Sequence, residues 1–194
     1  MKKSIVYLFL IFTVNLFAQY DLKSGIQPFQ KPNEGKSLVY IIKSGAGTLV
    51  NFRAYLDNKF IGVLSSDNYV LVECDPGQHL FWAVSENRDY LEANLLPNKV
   101  YVLNAEGQMG MFVAGVSLSQ LDPNDKSGKN LFARKIKNSN AVVYNPNSPV
   151  TDDKTENISK GLAKYEDLKN EKSSKIIQLK SDLYFEDAEK FQKN

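Results

Sequence analysis

Between residues 53 and 84 the chain alternates short apolar runs with turn residues. Leu56 ends one run and Phe60-Ile61-Gly62-Val63-Leu64 forms the next, with Asp57-Asn58 between them. Both turn residues tolerate positive φ, so this is a tight hairpin. A polar step at 65–68 follows, then Tyr69-Val70-Leu71-Val72, then Asp75-Pro76-Gly77, then Leu80-Phe81-Trp82-Ala83-Val84. Proline presets φ in the second turn and glycine takes the position a side chain disfavours. Continued along the chain, the pattern predicts strands near 38–43, 49–57, 59–64, 69–74, 79–84, 90–95, 100–104 and 111–118, with one more at 141–144. A spacing of about ten residues predicts a sandwich or barrel. Runs 69–72 and 80–84 are apolar on both faces, so each is expected to be covered on both sides.

The pattern changes towards the C-terminus. Residues 121–130 are polar and predict a loop, and 131–136 is a short segment of ambiguous pattern. After Asn145-Pro146-Asn147-Ser148-Pro149, apolar residues recur at Ile158, Leu162, Tyr165, Leu168, Ile176, Leu179 and Leu183, mostly at steps of three or four. This predicts an amphipathic helical region over 153–193, opened by a capping-box-like Asp153 and Glu156 and broken near Ser173-Ser174. Its apolar stripe packs back on the β domain or meets a partner. Because the composition shifts so sharply here, the region is expected to be separable, with a chain cut near Pro149 keeping the β fold.

The turn residues carry a resemblance. Leu56-Asp57-Asn58-Lys59, Ile61-Gly62, Pro76-Gly77-Gln78-His79 and Leu96-Pro97-Asn98-Lys99-Val100-Tyr101 resemble the motifs of a bacterial envelope domain of unknown function, DUF2846, and more loosely those of PEGA-type surface domains. Asn98 stands where that pattern has glycine. The resemblance covers about residues 36–118 and implies a small β domain. It carries no catalytic residues to transfer.

The first residues read as a secretion signal. Lys2 and Lys3 precede an apolar run over 5–12 that continues, interrupted by Thr13 and Asn15, to Phe17. That is short of the approximately 20 residues of a comfortable membrane span. Cleavage is expected after Ala18, leaving Gln19 first. No cysteine lies near the cut, so lipid attachment is not expected. The whole chain carries 24 Lys and Arg against 22 Asp and Glu, and the signal removes Lys2 and Lys3, which balances the side chains. A balanced chain points to no global nucleic-acid partner. A single cysteine, Cys74, excludes an internal disulfide.

The chemistry on offer is sparse. Gly35-Lys36-Ser37 imitates the end of a phosphate-binding loop, but Gln30 stands where the first glycine belongs and a strand follows. Gly45-Ala46-Gly47 reads as a flexible turn. Cys74 and His79 flank the Asp-Pro-Gly turn and form a conceivable nucleophile and base; the plainer reading is a core cysteine and a histidine bonding the turn. Residues 122–128, Asp-Pro-Asn-Asp-Lys-Ser-Gly, resemble a calcium loop whose Lys126 and Ser127 break the ligand pattern, so a solvated loop is expected.

The expected architecture is mainly β: an antiparallel β-sandwich of about seven to eight strands with a C-terminal helical appendage. It comprises a signal at 1–18, an extended lead-in at 19–35, the β domain at 36–120, a linker at 121–152 and the helical region at 153–193. The expected role is that of a non-enzymatic exported envelope protein, a binding or structural accessory module in the periplasm or outside the cell. Its expected partner is an envelope protein or polysaccharide, with no nucleic acid, no stable membrane insertion, no cofactor, and no catalytic or metal residues. The alternative is a hydrolase using Asp, Tyr and His79.

Overall fold

Strand-forming runs dominate the computed structural model, which describes residues 20–23, 27–45, 50–109, 114–145 and 155–192. The expected signal segment, the expected Asp153 cap, residues 146–149 of the expected break and parts of the expected 49–57 and 111–118 strands lie outside them. The strands are β1 (Tyr20–Lys23), β2 (Ser37–Gly45), β3 (Phe52–Leu56), β4 (Lys59–Leu64), β5 (Asn68–Cys74), β6 (Gly77–Val84), β7 (Arg88–Leu95), β8 (Val100–Met109), β9 (Ala114–Gln120), β10 (Asn140–Tyr144) and β11 (Ile176–Gln178). The helices are α1 (Lys126–Asn138) and α2 (Thr155–Asn170). A six-stranded sheet runs β1-β10-β5-β2-β8-β9 and a five-stranded sheet runs β11-β7-β6-β3-β4.

Two expectations are corrected here. There are more strands than seven or eight, and the sheets are mixed rather than antiparallel. β2 pairs parallel with β8, β10 with β5, and β11 with β7. Parallel neighbours need long crossovers, and the chain supplies them; α1 lies in the connection that brings β10 back beside β5.

Strand alternation sorts the side chains into layers. Val39, Val70 and Leu103 of the larger sheet meet Phe52, Ile61, Phe81 and Leu91 of the smaller one in a central core. The other face of the larger sheet, with Tyr40, Tyr69, Leu71 and Val102, is covered by Phe132 and Ile136 of α1 and by Phe185. The other face of the smaller sheet, with Tyr55, Phe60, Trp82 and Tyr90, is covered by Tyr165 and Leu168 of α2. The order is therefore helix, sheet, sheet, helix. This is why runs 69–72 and 80–83 are apolar on both faces: each strand has a sheet on one side and a helix on the other.

The polar segment at 121–130 is not simply a loop. Asp125 has extended backbone and its carboxylate accepts the Gly128 N–H at 2.7 Å, which makes it the N-cap of α1. Asp122 accepts the Asn124 N–H at 2.7 Å, so the calcium-like sequence is a helix start. One oxygen of each of its two aspartates is engaged by a backbone donor, and among the described residues no group of three or more His, Cys, Asp or Glu is placed to hold a metal.

The C-terminal region is helical only as far as Asn170. Lys172 takes φ 50°, Ser173 N–H bonds Leu168 O at 2.9 Å, and Lys172 N–H bonds Lys169 O at 3.0 Å. These two bonds form a Schellman end. Beyond it the expected second helix is β11 followed by an extended strap, because Ile176 and Ile177 pair beside Tyr90 and Leu91 of β7. The strap then crosses to the larger sheet, where Phe185 N–H bonds Val100 O at 2.8 Å. The lead-in likewise contributes β1 to the larger sheet, antiparallel to β10.

The local turn readings fit the backbone. Asp57 has φ 52°, Asn98 has φ 60° in the place of the resemblance's glycine, and Gly77 has φ 113°. Asparagine and aspartate adopt this region at lower cost than other side-chain-bearing residues.

Candidate functional site

The two turns read from the sequence meet at one side chain. His79, the third residue of β6, approaches Asp57 Oδ2 through Nδ1 at 3.0 Å and the Asp75 carbonyl through Nε2 at 2.8 Å. Both partners are acceptors, so only a ring carrying both protons satisfies them. The hydrogen bond to Asp57 raises the imidazole pKa above its usual 6.5, against the opposing effect of burial. Burial pushes the Asp57 carboxyl up, but the bonds from His79 and the Leu80 N–H outweigh it and hold the carboxyl below its usual range. Asp57 also accepts Leu80 N–H on Oδ1 at 2.8 Å and Trp82 Nε1–H on its own carbonyl at 2.9 Å. One turn residue thus fixes the start of β6 and the single tryptophan.

Next to this pair the outer face of the smaller sheet emerges from beneath the C-terminal end of α2. Gln78 faces Asn94 across β6 and β7, Leu80 faces Glu92, and Gln178 of β11 lies beside Glu92. With His79, Tyr165 and Lys169 they line an open groove of about 390 Å³. Glu92 accepts hydrogen bonds from the Tyr165 hydroxyl and, at 2.7 Å, from Gln178 Nε2. Lys169 Nζ lies 3.6 Å from Glu92 and donates to the Tyr165 hydroxyl at 3.0 Å. These contacts, the Tyr165 bond first, hold the Glu92 carboxyl below its usual range. The ionisable groups therefore neutralise one another within the wall. The exposed side chains of Gln78, Asn94 and Gln178 are left along the open side.

Cys74 does not join this constellation. It sits at the end of β5 opposite Ser37. Burial pushes its thiol up to about 12, with Asp57, Asp75 and Glu73 adding to the shift. A thiol that stays protonated at neutral pH is a poor nucleophile, and His79 has no ring nitrogen left to activate it. With a thiol reagent at pH 7, the folded protein is expected to react at least about tenfold more slowly than the urea-unfolded chain; equal rates would show a reactive cysteine. Gly35-Lys36-Ser37 is likewise structural: Lys36 Nζ pairs with Asp75 at 2.6 Å and Ser37 Oγ donates to Leu96 O at 2.9 Å as β2 begins.

The pair gives a pH dependence with a definite sign. The raised His79 pKa contributes stability that is complete below pH 6.5 and is lost as pH rises through the higher folded value. The lowered Asp57 pKa contributes above 3.8 and is lost as pH falls through its folded value. Thermal melts between about pH 6 and 9 are expected to show a fall in Tm for the native chain that is absent in His79→Gln. Parallel profiles for the two proteins would exclude the ion pair as its source.

The sequence identified the turns and placed His79 beside one of them. It gave no sign that Glu92, Tyr165 and Gln178 come together, since they lie on three elements joined only by packing. No helix among the described residues is long and apolar enough to cross a membrane. Comparison of the chain with models of known protein families, with curated proteins and with solved structures found no match.

Proposed function

We propose that the protein is an exported, non-enzymatic binding module of the bacterial envelope, periplasmic or secreted and of the DUF2846-like type. Its binding site is the groove beneath the end of α2. The commitment of both His79 nitrogens to acceptors carries this reading: the ring has no lone pair with which to accept a proton. The carboxylates of the groove are likewise bonded to neighbours, which suits a fixed wall rather than a proton shuttle. The amides of Gln78 and Asn94, with the amide oxygen of Gln178 whose nitrogen is held by Glu92, offer donors and acceptors to a polar, uncharged partner. A polysaccharide with its dense hydroxyls fits this chemistry best, and an extended protein segment is the other occupant of the same kind.

Co-sedimentation with insoluble envelope polysaccharide tests the proposal. The chain is expected to pellet with it, and Gln78→Ala combined with Asn94→Ala to raise the apparent Kd by roughly thirtyfold, as the loss of two hydrogen bonds of about 1 kcal/mol each implies. Both residues are exposed, so the variants should melt like the parent. Equal retention of parent and variant would move the site elsewhere. Release of soluble product by the native chain, abolished in His79→Ala, would replace binding by hydrolysis.

A further inference from the structure

Charge is distributed unevenly on this otherwise balanced chain. α1 carries Lys126, Lys129, Arg134, Lys135 and Lys137 and no acidic residue. Lys129 pairs with Asp187 at 3.3 Å and Lys135 Nζ donates to Ser66 O at 3.0 Å. Arg134 and Lys137 are exposed, and the strap lays the exposed Lys190 across from them. The strap is pinned there by Phe191 N–H, which donates to Asn130 Oδ1 of α1 at 3.0 Å. Between the three cations runs a groove of about 700 Å³, with Pro28, Ala133, Ile136 and Ala188 among its lining. Of the two acids nearest in the strap, Asp187 is held by Lys129, and Glu189 lines a neighbouring depression.

We infer that this groove is a docking surface for an acidic, extended peptide segment of a partner protein. Three like charges around one trough repel one another, and a chain of carboxylates relieves that repulsion while its apolar side chains cover the floor. The shape argues against a lipid surface. A bilayer presents a plane, whereas this site is concave, and Leu96, the one large apolar side chain more than a third exposed among the described residues, does not line it. The site is on the α1 side of the larger sheet, so it stands independently of the groove beneath α2.

Fluorescence anisotropy of the purified chain with a fluorescein-labelled peptide of about twelve residues, alternating Glu with Leu and Ala, tests this. A control peptide carries Lys in place of Glu, and phosphatidylglycerol vesicles probe the lipid reading. The acidic peptide is expected to bind saturably and the control not at all. Raising salt from about 20 to about 300 mM should weaken binding about tenfold. So should Arg134→Glu, Lys137→Glu and Lys190→Glu together, with the corresponding three Gln substitutions intermediate. Ala188→Trp, which fills the floor without changing charge, should weaken it at least about threefold. Melting curves matching the parent establish that each variant is folded. Affinity unchanged by charge reversal overturns the proposal. Affinity unchanged in Ala188→Trp overturns it too, since attraction would then be diffuse and not groove-directed. Vesicle binding without peptide binding assigns the face to lipid and overturns it equally.

Discussion

A chain ended after Asn145 is expected to lose its cooperative thermal transition. The composition change at Pro149 reads as a boundary between a complete β domain and a separable appendage, but the layers oppose that reading. Removing α2 and everything after it uncovers Tyr55, Phe60, Trp82 and Tyr90, each now no more than 5% exposed. Full burial of such side chains is worth about 1.5–3 kcal/mol each. Half of that across four is on the order of 3–6 kcal/mol, against about 5–15 kcal/mol for a whole domain. The cut also removes Phe185, which packs edge-on against Phe132 at 5.0 Å between ring centres on the larger sheet, and it frees the β7 edge that β11 covers. Near-ultraviolet circular dichroism and a thermal melt read the result. A cooperative melt within about 5 °C of the parent would show that the β domain stands alone and that the helix is a true appendage.

Gly161→Ala is expected to destabilise the protein, the reverse of what helix propensity predicts. In an exposed helix interior the exchange stabilises by about 1 kcal/mol. Here a β-carbon would lie 2.4 Å from Cη2 and 2.5 Å from Cζ3 of Trp82. The indole has little room to yield, being stacked on Tyr55 at 3.8 Å and bonded through Nε1 to the Asp57 carbonyl. Either the core is overpacked or α2 lifts and breaks the 2.8 Å bond from the Tyr90 hydroxyl to the Gly161 carbonyl. Overpacking costs about 1–3 kcal/mol, and an overlap this deep against a fixed indole belongs to the upper part of that range, about 2–3 kcal/mol, so a net loss of roughly 1–2 kcal/mol remains after the propensity gain. In a chain of this size that lowers Tm by about 2–8 °C. Trp82→Leu should itself cost several kcal/mol, on the order of a large core truncation. In that background the same Gly161→Ala change should be neutral or stabilising. A rise in Tm for Gly161→Ala alone would mean that α2 is not seated on the tryptophan.

How far the sequence could be read follows from the range of each interaction. Asp57, Asn98 and Gly77 announce their turns because a single residue's φ is a local property. The strand runs are legible because alternation and two-faced apolarity are recorded residue by residue. α1 was hidden: its start is Asp125-Lys126-Ser127-Gly128, a polar stretch that a loop shares, and only the Phe132–Ile136 spacing hinted at a buried face. The steps at Ile176, Leu179 and Leu183 are those of a helix, and pairing with the open edge of β7 overrode them.

The amino-acid sequence by itself determined where the strands from β2 to β10 and the tight turns lie, that the chain is mainly β, and that His79 stands beside a turn, because propensity, alternation and φ preference act over a few residues. Tertiary structure alone decided that β2 runs parallel to β8, that each sheet carries a helix on its outer face, and that the C-terminal strap ties the two sheets together. It also decided both candidate sites. Glu92, Tyr165 and Gln178 meet only once α2 is seated on Trp82, and Lys190 faces Arg134 only once the strap is pinned to Asn130. Such juxtapositions depend on which apolar faces find each other across long stretches of chain, and no local pattern encodes that choice.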